Sequence, residues 1–514
     1  MFLLFILFLP LAIYVYQKWH YDYWKRRGVY QVKPHFLYGN LKEFSNGNLC
    51  ISDQLKKLYD EFKSKGLRYG GYYAFMKPTF MPIDVNIVKN ILQKDFGHFV
   101  NRGIYFNKKR SPLSEHLFTL EGEKWRILRG KLTPTFTTGK MKMMFPIMVA
   151  YSENLTVILK KDVILQDAVD IKEVVSRFTT DIIISAAFGI ECNSLKNSDS
   201  EFRKFGRRVF EPGMWEQLKR QMSNSFPKWF LDAIRINLLD HETEDFFMNA
   251  VKKTVRYREE NAVYRNDFMQ LLLELRNKGK ISDYHITSVG ENDCNSHFLS
   301  LNELAAQCFA FFIGGFETSA TAIAFTMLEL AMNLEIQDKL RKEINTVLEN
   351  YDHQITYDGI MEMTYLDKIV HESLRMHPTA SEIGRICNSE YTIPGTDLVI
   401  EKGVRVIIPI LALHRNSDHY PDPDVFDPER FNEENKAKRH PFAYIPWEGP
   451  RMCIGKYHLP SRLGLLQTKV GIVAIIKSFT VTLNKKTQLP IKYAPNAVIT
   501  SVAGGIWLNL QSLQ

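Results

Sequence analysis

Between Leu301 and Asn333 lies the most apolar internal stretch of this chain, and any fold has to be built around it. The run exceeds the roughly 20 residues that a membrane-spanning helix needs. Gln307, Gly314-Gly315 and Glu317 stand at its centre, however, where polar groups are expensive in lipid. A helix buried through the middle of a large domain fits this pattern better than a second membrane span. Most other segments after Pro34 also carry apolar residues at helical spacing. Strand-like runs are confined to places such as Leu398-Val399-Ile400 and Val404 to Ile408. The expected architecture is mainly α with small β-sheets, in one large domain.

The 514 residues suffice for a large core, and no internal repeat or long low-complexity run is visible. A formal charge of +9 admits nucleic acid, an anionic membrane surface or an acidic protein as partner. Nucleic acid is the weakest of the three, because the basic residues are scattered among acidic ones and carry no nucleic-acid-binding signature. The six cysteines (Cys50, Cys192, Cys294, Cys308, Cys387 and Cys453) form no C-x-x-C pair, which fits a reducing compartment rather than a disulfide scaffold.

Met1 to Tyr16 is almost wholly apolar and leads into Trp19, Tyr21, Tyr23 and Trp24, then Lys25-Arg26-Arg27. Aromatics followed by positive charge are how a membrane anchor ends, with the charged side cytoplasmic. The basic start and small-residue cleavage site of a signal peptide are lacking. The expected division is an anchor with its basic stop over residues 1–27, a linker over 28–40 and a catalytic domain over 41–514. Lys278 to Ser300 is polar and reads as a long surface loop.

The chemistry concentrates at Tyr444-Ile445-Pro446-Trp447-Glu448-Gly449-Pro450-Arg451-Met452-Cys453-Ile454-Gly455. A lone cysteine flanked by glycines, with an arginine two positions before it, suits a haem iron with an axial thiolate, which favours O–O cleavage. The segment resembles the haem-binding loop of the cytochrome P450 family. That resemblance runs over roughly residues 20 to 510 and makes Cys453 the expected iron ligand. Gly314-Gly315-Phe316-Glu317-Thr318-Ser319 is similar to the family's oxygen-activating motif. Gly315 would make room beside the iron, and Glu317 and Thr318 would relay protons. Taken alone, the Gly-Gly pair would be a packing kink.

His371-Glu372-Ser373-Leu374-Arg375 resembles the family's E-x-x-R helix, and Phe426 to Phe431 its partner segment. The resemblance implies a buried triad of Glu372, Arg375 and Arg430 with a structural role. Trp125 and Arg129 match a W-x-x-x-R helix, and Arg385 and Arg451 match two further partners of the haem carboxylates. Arg102 is a fifth candidate contact. Any one of these arginines would by default be a surface residue. In this order they call for an anionic cofactor, haem b (iron protoporphyrin IX).

Leu120 to Lys142 and Trp24 to Val29 are similar to the microsomal group that contains vertebrate drug-metabolising and insect detoxifying enzymes. The resemblance implies a cytochrome P450 fold behind a single N-terminal anchor in the endoplasmic reticulum membrane. It also implies a monooxygenase that inserts one oxygen atom from O2 into a lipophilic small molecule (xenobiotic, steroid or fatty acid). Electrons would come from NADPH through a flavin protein, NADPH-cytochrome P450 reductase, with cytochrome b5 as an optional second donor. Lys124, Arg126, Lys131, Lys436, Lys438 and Arg439 offer basic surface for such a partner, and the substrate would lie near Phe311 and Phe312.

Around Cys453 the chain departs from the family pattern. Trp447 stands six positions before the cysteine, where the family has phenylalanine at seven. Six residues, Lys456 to Ser461, separate Gly455 from Arg462, where the family has one. These changes leave two other functions open, a catalytically impaired haem or small-ligand binding protein and a reductase-independent haem-thiolate isomerase.

Overall fold

The computed structural model describes residues 14–165, 167–278, 298–446, 449–451, 453, 463–495 and 497–513. The helices that frame the site are α1 (Ile51–Ser64), α2 (Gly122–Leu132), α3 (Thr138–Leu165), α4 (Ile171–Phe188), α5 (Leu301–Gly315), α6 (Glu317–Met332), α7 (Thr364–Met376) and α8 (Leu463–Ser478). The apolar run starts as a helix because Ser300 and Glu303 close a capping box. The Ser300 hydroxyl accepts the Glu303 N–H at 3.2 Å, and the Glu303 carboxylate accepts the Ser300 N–H at 2.8 Å.

This central helix is interrupted once, at Phe316, between α5 and α6. The pair packs against α4 and α8, and α3 closes the bundle from outside. By length and composition the stretch Leu301–Met332 could cross a membrane, but 67% of its most apolar window is buried. It is the core helix the polar centre suggested.

Among the described residues, nine short strands form small sheets: β1 (Tyr69–Ala74), β2 (Lys77–Pro82), β3 (Val169–Asp170), β4 (Glu382–Ile386), β5 (Tyr391–Thr392), β6 (Val399–Ile400), β7 (Arg405–Pro409), β8 (Phe479–Leu483) and β9 (Trp507–Ser512). The largest sheet has the order β1-β2-β7-β4. In it β2 runs parallel to β7 with Thr79 opposite Arg405, and β4 runs antiparallel to β7 with Ile386 opposite Arg405. Both runs singled out in the sequence appear, as β6 and β7.

Buried side chains fall into two clusters, a helical body around α4 to α6 and a smaller lobe around the large sheet. The N-terminal aromatics do not all face a membrane. Trp24 is fully buried in the sheet lobe and donates its indole N–H to the Tyr72 carbonyl at 3.3 Å, and Tyr21 is also buried. Gly71 allows this, since a Cβ there would lie 2.3 Å from the Trp24 ring. Tyr14, Tyr16 and Trp19 are exposed. Met1 to Ile13, most of the polar loop before Ser300, Trp447 and the insertion Lys456 to Ser461 lie outside the described residues, as does Cys294. The other five cysteines are free thiols.

Candidate functional site

Four arginines from four separate segments converge where α2, β4 and the cysteine loop meet. Arg102 follows the short helix Phe96–Phe99, Arg129 lies on α2, Arg385 on β4 and Arg451 two residues before Cys453. Burial drives the Arg102 guanidinium well below its ordinary pKa, and the charges of Arg385, Arg451 and Arg129 push it the same way. Arg385 is lowered to about 10 by burial alone. Arg451 is lowered to about 9 by burial, then by Arg385 and Arg129, against the opposing pull of Glu121.

Neutral groups hold these side chains in place. Arg102 donates to the Arg451 carbonyl at 2.9 Å and lies over the Phe118 ring at 3.9 Å. Arg451 donates to the Leu120 carbonyl and stacks on the buried Trp125 ring at 4.3 Å. Nε and Nη1 of Arg451 and Nε of Arg385 are buried with no hydrogen-bond partner among the described residues. Buried donors without acceptors are costly, and like charges brought together are more so. The arrangement fits a group that brings two carboxylates of its own.

Cys453 is exposed, within electrostatic reach of Arg102. Its loop is seated by Gly449, whose φ is +87°. A Cβ at Gly449 would stand 2.2 Å from the Leu92 carbonyl oxygen, so this glycine serves close backbone contact within the protein.

In the broken central helix, the Thr318 hydroxyl donates to the Gly314 carbonyl at 2.6 Å. Next to this bond the backbone bends at Phe316, where ψ reaches −79°. Glu317 faces elsewhere: its carboxylate pairs with Lys172 Nζ on α4 at 2.7 Å, and the same ammonium reaches the Thr321 hydroxyl. The acid and the hydroxyl thus have separate partners. The two glycines of the motif differ in their surroundings. A Cβ on Gly315 would meet Ile183 at 2.7 Å, and its carbonyl accepts from Gln467, whereas nothing stands within 4 Å of that position on Gly314. Lys172 and Gln467 carry no family motif and went unnoticed in the sequence.

The triad is assembled. Arg375 makes a forked pair with Glu372 at 2.7 and 2.8 Å, and Arg430 Nε approaches the same carboxylate at 3.5 Å. Arg375 also donates to the carbonyls of His414 and Pro423. His414 extends the network to the cysteine loop, since its Nε2 accepts the Ile445 N–H at 2.9 Å. Burial, then the charge of Arg375, lowers the His414 pKa to about 3, so the imidazole is held neutral. No sequence signal marked His414.

Phe311 and Phe312 are packing residues. Phe312 is fully buried and stacks on Phe316 at 5.3 Å, and Phe311 packs edge-on to Phe268 at 4.0 Å. Phe312 thus belongs to the core and Phe311 is half-buried at its edge, in line with plain packing, the other reading the sequence allows for these two rings. Of the basic surface residues, Arg126, Lys436 and Lys438 each pair with a carboxylate three or four positions earlier. Lys124 is exposed.

The comparison with known proteins agrees with this construction. The profile of the cytochrome P450 family matches residues 31–508. Cytochrome P450 6a2 of Drosophila melanogaster is 40% identical over 508 residues, covering 98% of this chain and 97% of that protein. Cytochrome P450 6A1 of Musca domestica is 36% identical over 509 residues, covering 98% and 96%. The chain belongs to the cytochrome P450 family. It is accordingly a haem-dependent monooxygenase, an oxidoreductase.

Proposed function

We propose that this enzyme oxygenates a lipophilic small molecule, a xenobiotic, steroid or fatty acid, with electrons from NADPH delivered by a flavin reductase. In the overall change one oxygen atom of O2 enters a C–H bond of the substrate and the other leaves as water, with uptake of two electrons and two protons. The observation that carries this reading is the convergence of buried cations beside Cys453. Haem held there supplies the iron at which dioxygen is activated.

The chain's own residues divide the remaining work. Cys453 would give its sulfur to the haem iron, and Arg102, Arg129, Arg385 and Arg451 would receive the haem carboxylates, with Trp125 bracing Arg451. Thr318 places a hydroxyl at the bend in the central helix, where it hands on a proton once released from the Gly314 carbonyl. Lys172 fixes the position of the Glu317 carboxylate, which passes protons inward from solvent. Glu372, Arg375, Arg430 and His414 hold the cysteine loop from behind. The segments between Tyr105 and Leu117, around Phe205 to Phe230, largely helical, and near Thr379 to Ile383 are the proposed substrate contacts, and the membrane of the endoplasmic reticulum is the proposed location.

The test is the absorption spectrum of the reduced, carbon-monoxide-bound protein. A thiolate-type band is expected, and loss of that band in Cys453→Ser. A histidine-type band in the unaltered chain, or no haem uptake, would overturn the assignment of Cys453.

A further inference from the structure

The break in the central helix is held by a neighbouring helix as well as by its own side chains. The Phe316 N–H still reaches the Phe312 carbonyl at 3.0 Å, and the Ala320 N–H reaches the Phe316 carbonyl at 3.3 Å. Between these two bonds the carbonyls of Gly314 and Gly315 are met by side chains. Gly314 receives the Thr318 hydroxyl, and Gly315 receives Nε2 of Gln467 at 2.6 Å. Gln467 stands on α8, the helix that follows the cysteine loop. One turn earlier on the same face of α8, the Gly464 carbonyl accepts the Ser319 hydroxyl at a long 3.4 Å. The two bonds run in opposite directions and straddle Phe316.

Gln467 is fully buried, and its Oε1 has no hydrogen-bond partner among the described residues. An unmatched polar atom in the interior is costly, and a methionine would fill the same space without that cost. What the amide adds is the donor on the Gly315 carbonyl. In an unbroken helix that carbonyl would accept the Ser319 N–H one turn further on. Drawn to α8 instead, it leaves the ladder open where the ψ of Phe316 departs from the helical value. The Phe316 ring is locked as well, stacked on Phe312 at 5.3 Å and edge-on to Phe210 at 5.7 Å. The Thr318 hydroxyl is thereby held at the bend, beside Gly314, where nothing stands within 4 Å of the Cβ position.

We propose that Gln467 is a positioning residue for proton transfer, an assignment that rests on the reading of Thr318 as the proton-passing hydroxyl. Its amide keeps the central helix open at Phe316 and so fixes where the Thr318 hydroxyl stands. It acts through the backbone and touches no reacting atom. The same contact joins the helix that carries the oxygen-side groups to the helix that trails the cysteine loop, so a shift of α8 moves the hydroxyl with it.

The test uses the full haem-loaded chain and two readouts that need no turnover. Hydrogen exchange followed by mass spectrometry reads the bend, in the peptide from Ile313 to Ala320. The infrared stretch of carbon monoxide bound to the reduced protein reads the polar groups on the oxygen side. Gln467→Met removes the donor at nearly constant volume, and the Gly315 carbonyl then takes the Ser319 N–H. Exchange across Glu317 to Ala320 should slow roughly fivefold, the equilibrium effect of one net hydrogen bond. The stretch should move by several wavenumbers in the Gln467→Met chain. The same substitution made in a Thr318→Ala background should leave it still, because the hydroxyl it acts through is gone. Gln467→Glu supplies the rescue: its protonated carboxyl can donate to Gly315, so the stretch should return to that of the unaltered chain as pH falls. Unchanged exchange and stretch in Gln467→Met, with the thiolate-type band intact, overturn the proposal and leave the haem assignment standing. Equal shifts with and without the Thr318 hydroxyl overturn it too, as does faster exchange throughout α5 and α6, which would mark lost packing. A missing thiolate-type band in the unaltered chain defeats the haem assignment instead, and exchange in the haem-free chain then decides whether Gln467 holds the bend.

Discussion

At the scale of single residues, the protein spends stability to hold charges that it does not itself neutralise. Arg385 is the clearest case, buried on β4 with an unsatisfied Nε and two other arginines within electrostatic range. Replacing a buried charge of this kind by a packed apolar side chain is neutral or stabilising by about 1–4 kcal/mol. Arg385→Met should therefore raise the urea midpoint of the haem-free chain while lowering that of the haem-loaded one, and equal shifts in both forms would remove Arg385 from the carboxylate-binding set. His414 contributes in the opposite sense. Its folded pKa, about 3, lies below the ordinary 6.5, so its stabilising contribution is complete above pH 6.5 and is lost as pH falls towards 3. In this window His414→Gln should flatten the dependence of unfolding free energy on pH by up to ~1.4 kcal/mol per unit. Arg129 and Arg451 were legible in the sequence because each sits in a recognisable short motif, Arg385 by its order after the E-x-x-R helix, and Arg102 only as a candidate. His414 was not, because its role arises from a contact 31 positions away with a backbone N–H.

At the scale of elements, two local geometries decide whether the site works. The Thr318 hydroxyl bonds the Gly314 carbonyl across the bend at Phe316, a side chain competing with the helix for its own backbone. Thr318→Ala removes that competitor and the hydroxyl together. Product formed per O2 consumed should fall about tenfold or more, with hydrogen peroxide appearing in its place. The second geometry is the turn at Gly449. Gly449→Ala must strain a left-handed backbone and collide with Leu92, and residues forced into such conformations cost about 1–3 kcal/mol each. The variant should fold with a normal far-ultraviolet spectrum and show a diminished thiolate-type band. The pattern of apolar residues announced the central helix, but not its interruption. Gly-Gly permits a bend, and which hydroxyl and which carbonyl make it depends on the packing of Ile183 against Gly315.

At the scale of the whole molecule, the helical body and the sheet lobe meet at the site, each supplying part of the arginine cluster. The sheet lobe depends on an N-terminal residue, Trp24, which fills the space left by Gly71 and bonds Tyr72. Trp24→Ala should cost about 3–5 kcal/mol, with the loss appearing as faster hydrogen exchange in β1 and β2 before α4 to α6 respond. Composition and periodicity were enough for a mainly helical body with small sheets. The burial of Trp24 was hidden because an aromatic cluster before three basic residues has the same composition whether it meets lipid or a sheet. The convergent arginines have a consequence beyond catalysis. A chain that repels itself at its centre until an anionic cofactor arrives ties its own lifetime to that cofactor's supply. Cells short of haem should accumulate less of this protein at unchanged transcript level, its unfolded fraction being cleared by proteolysis.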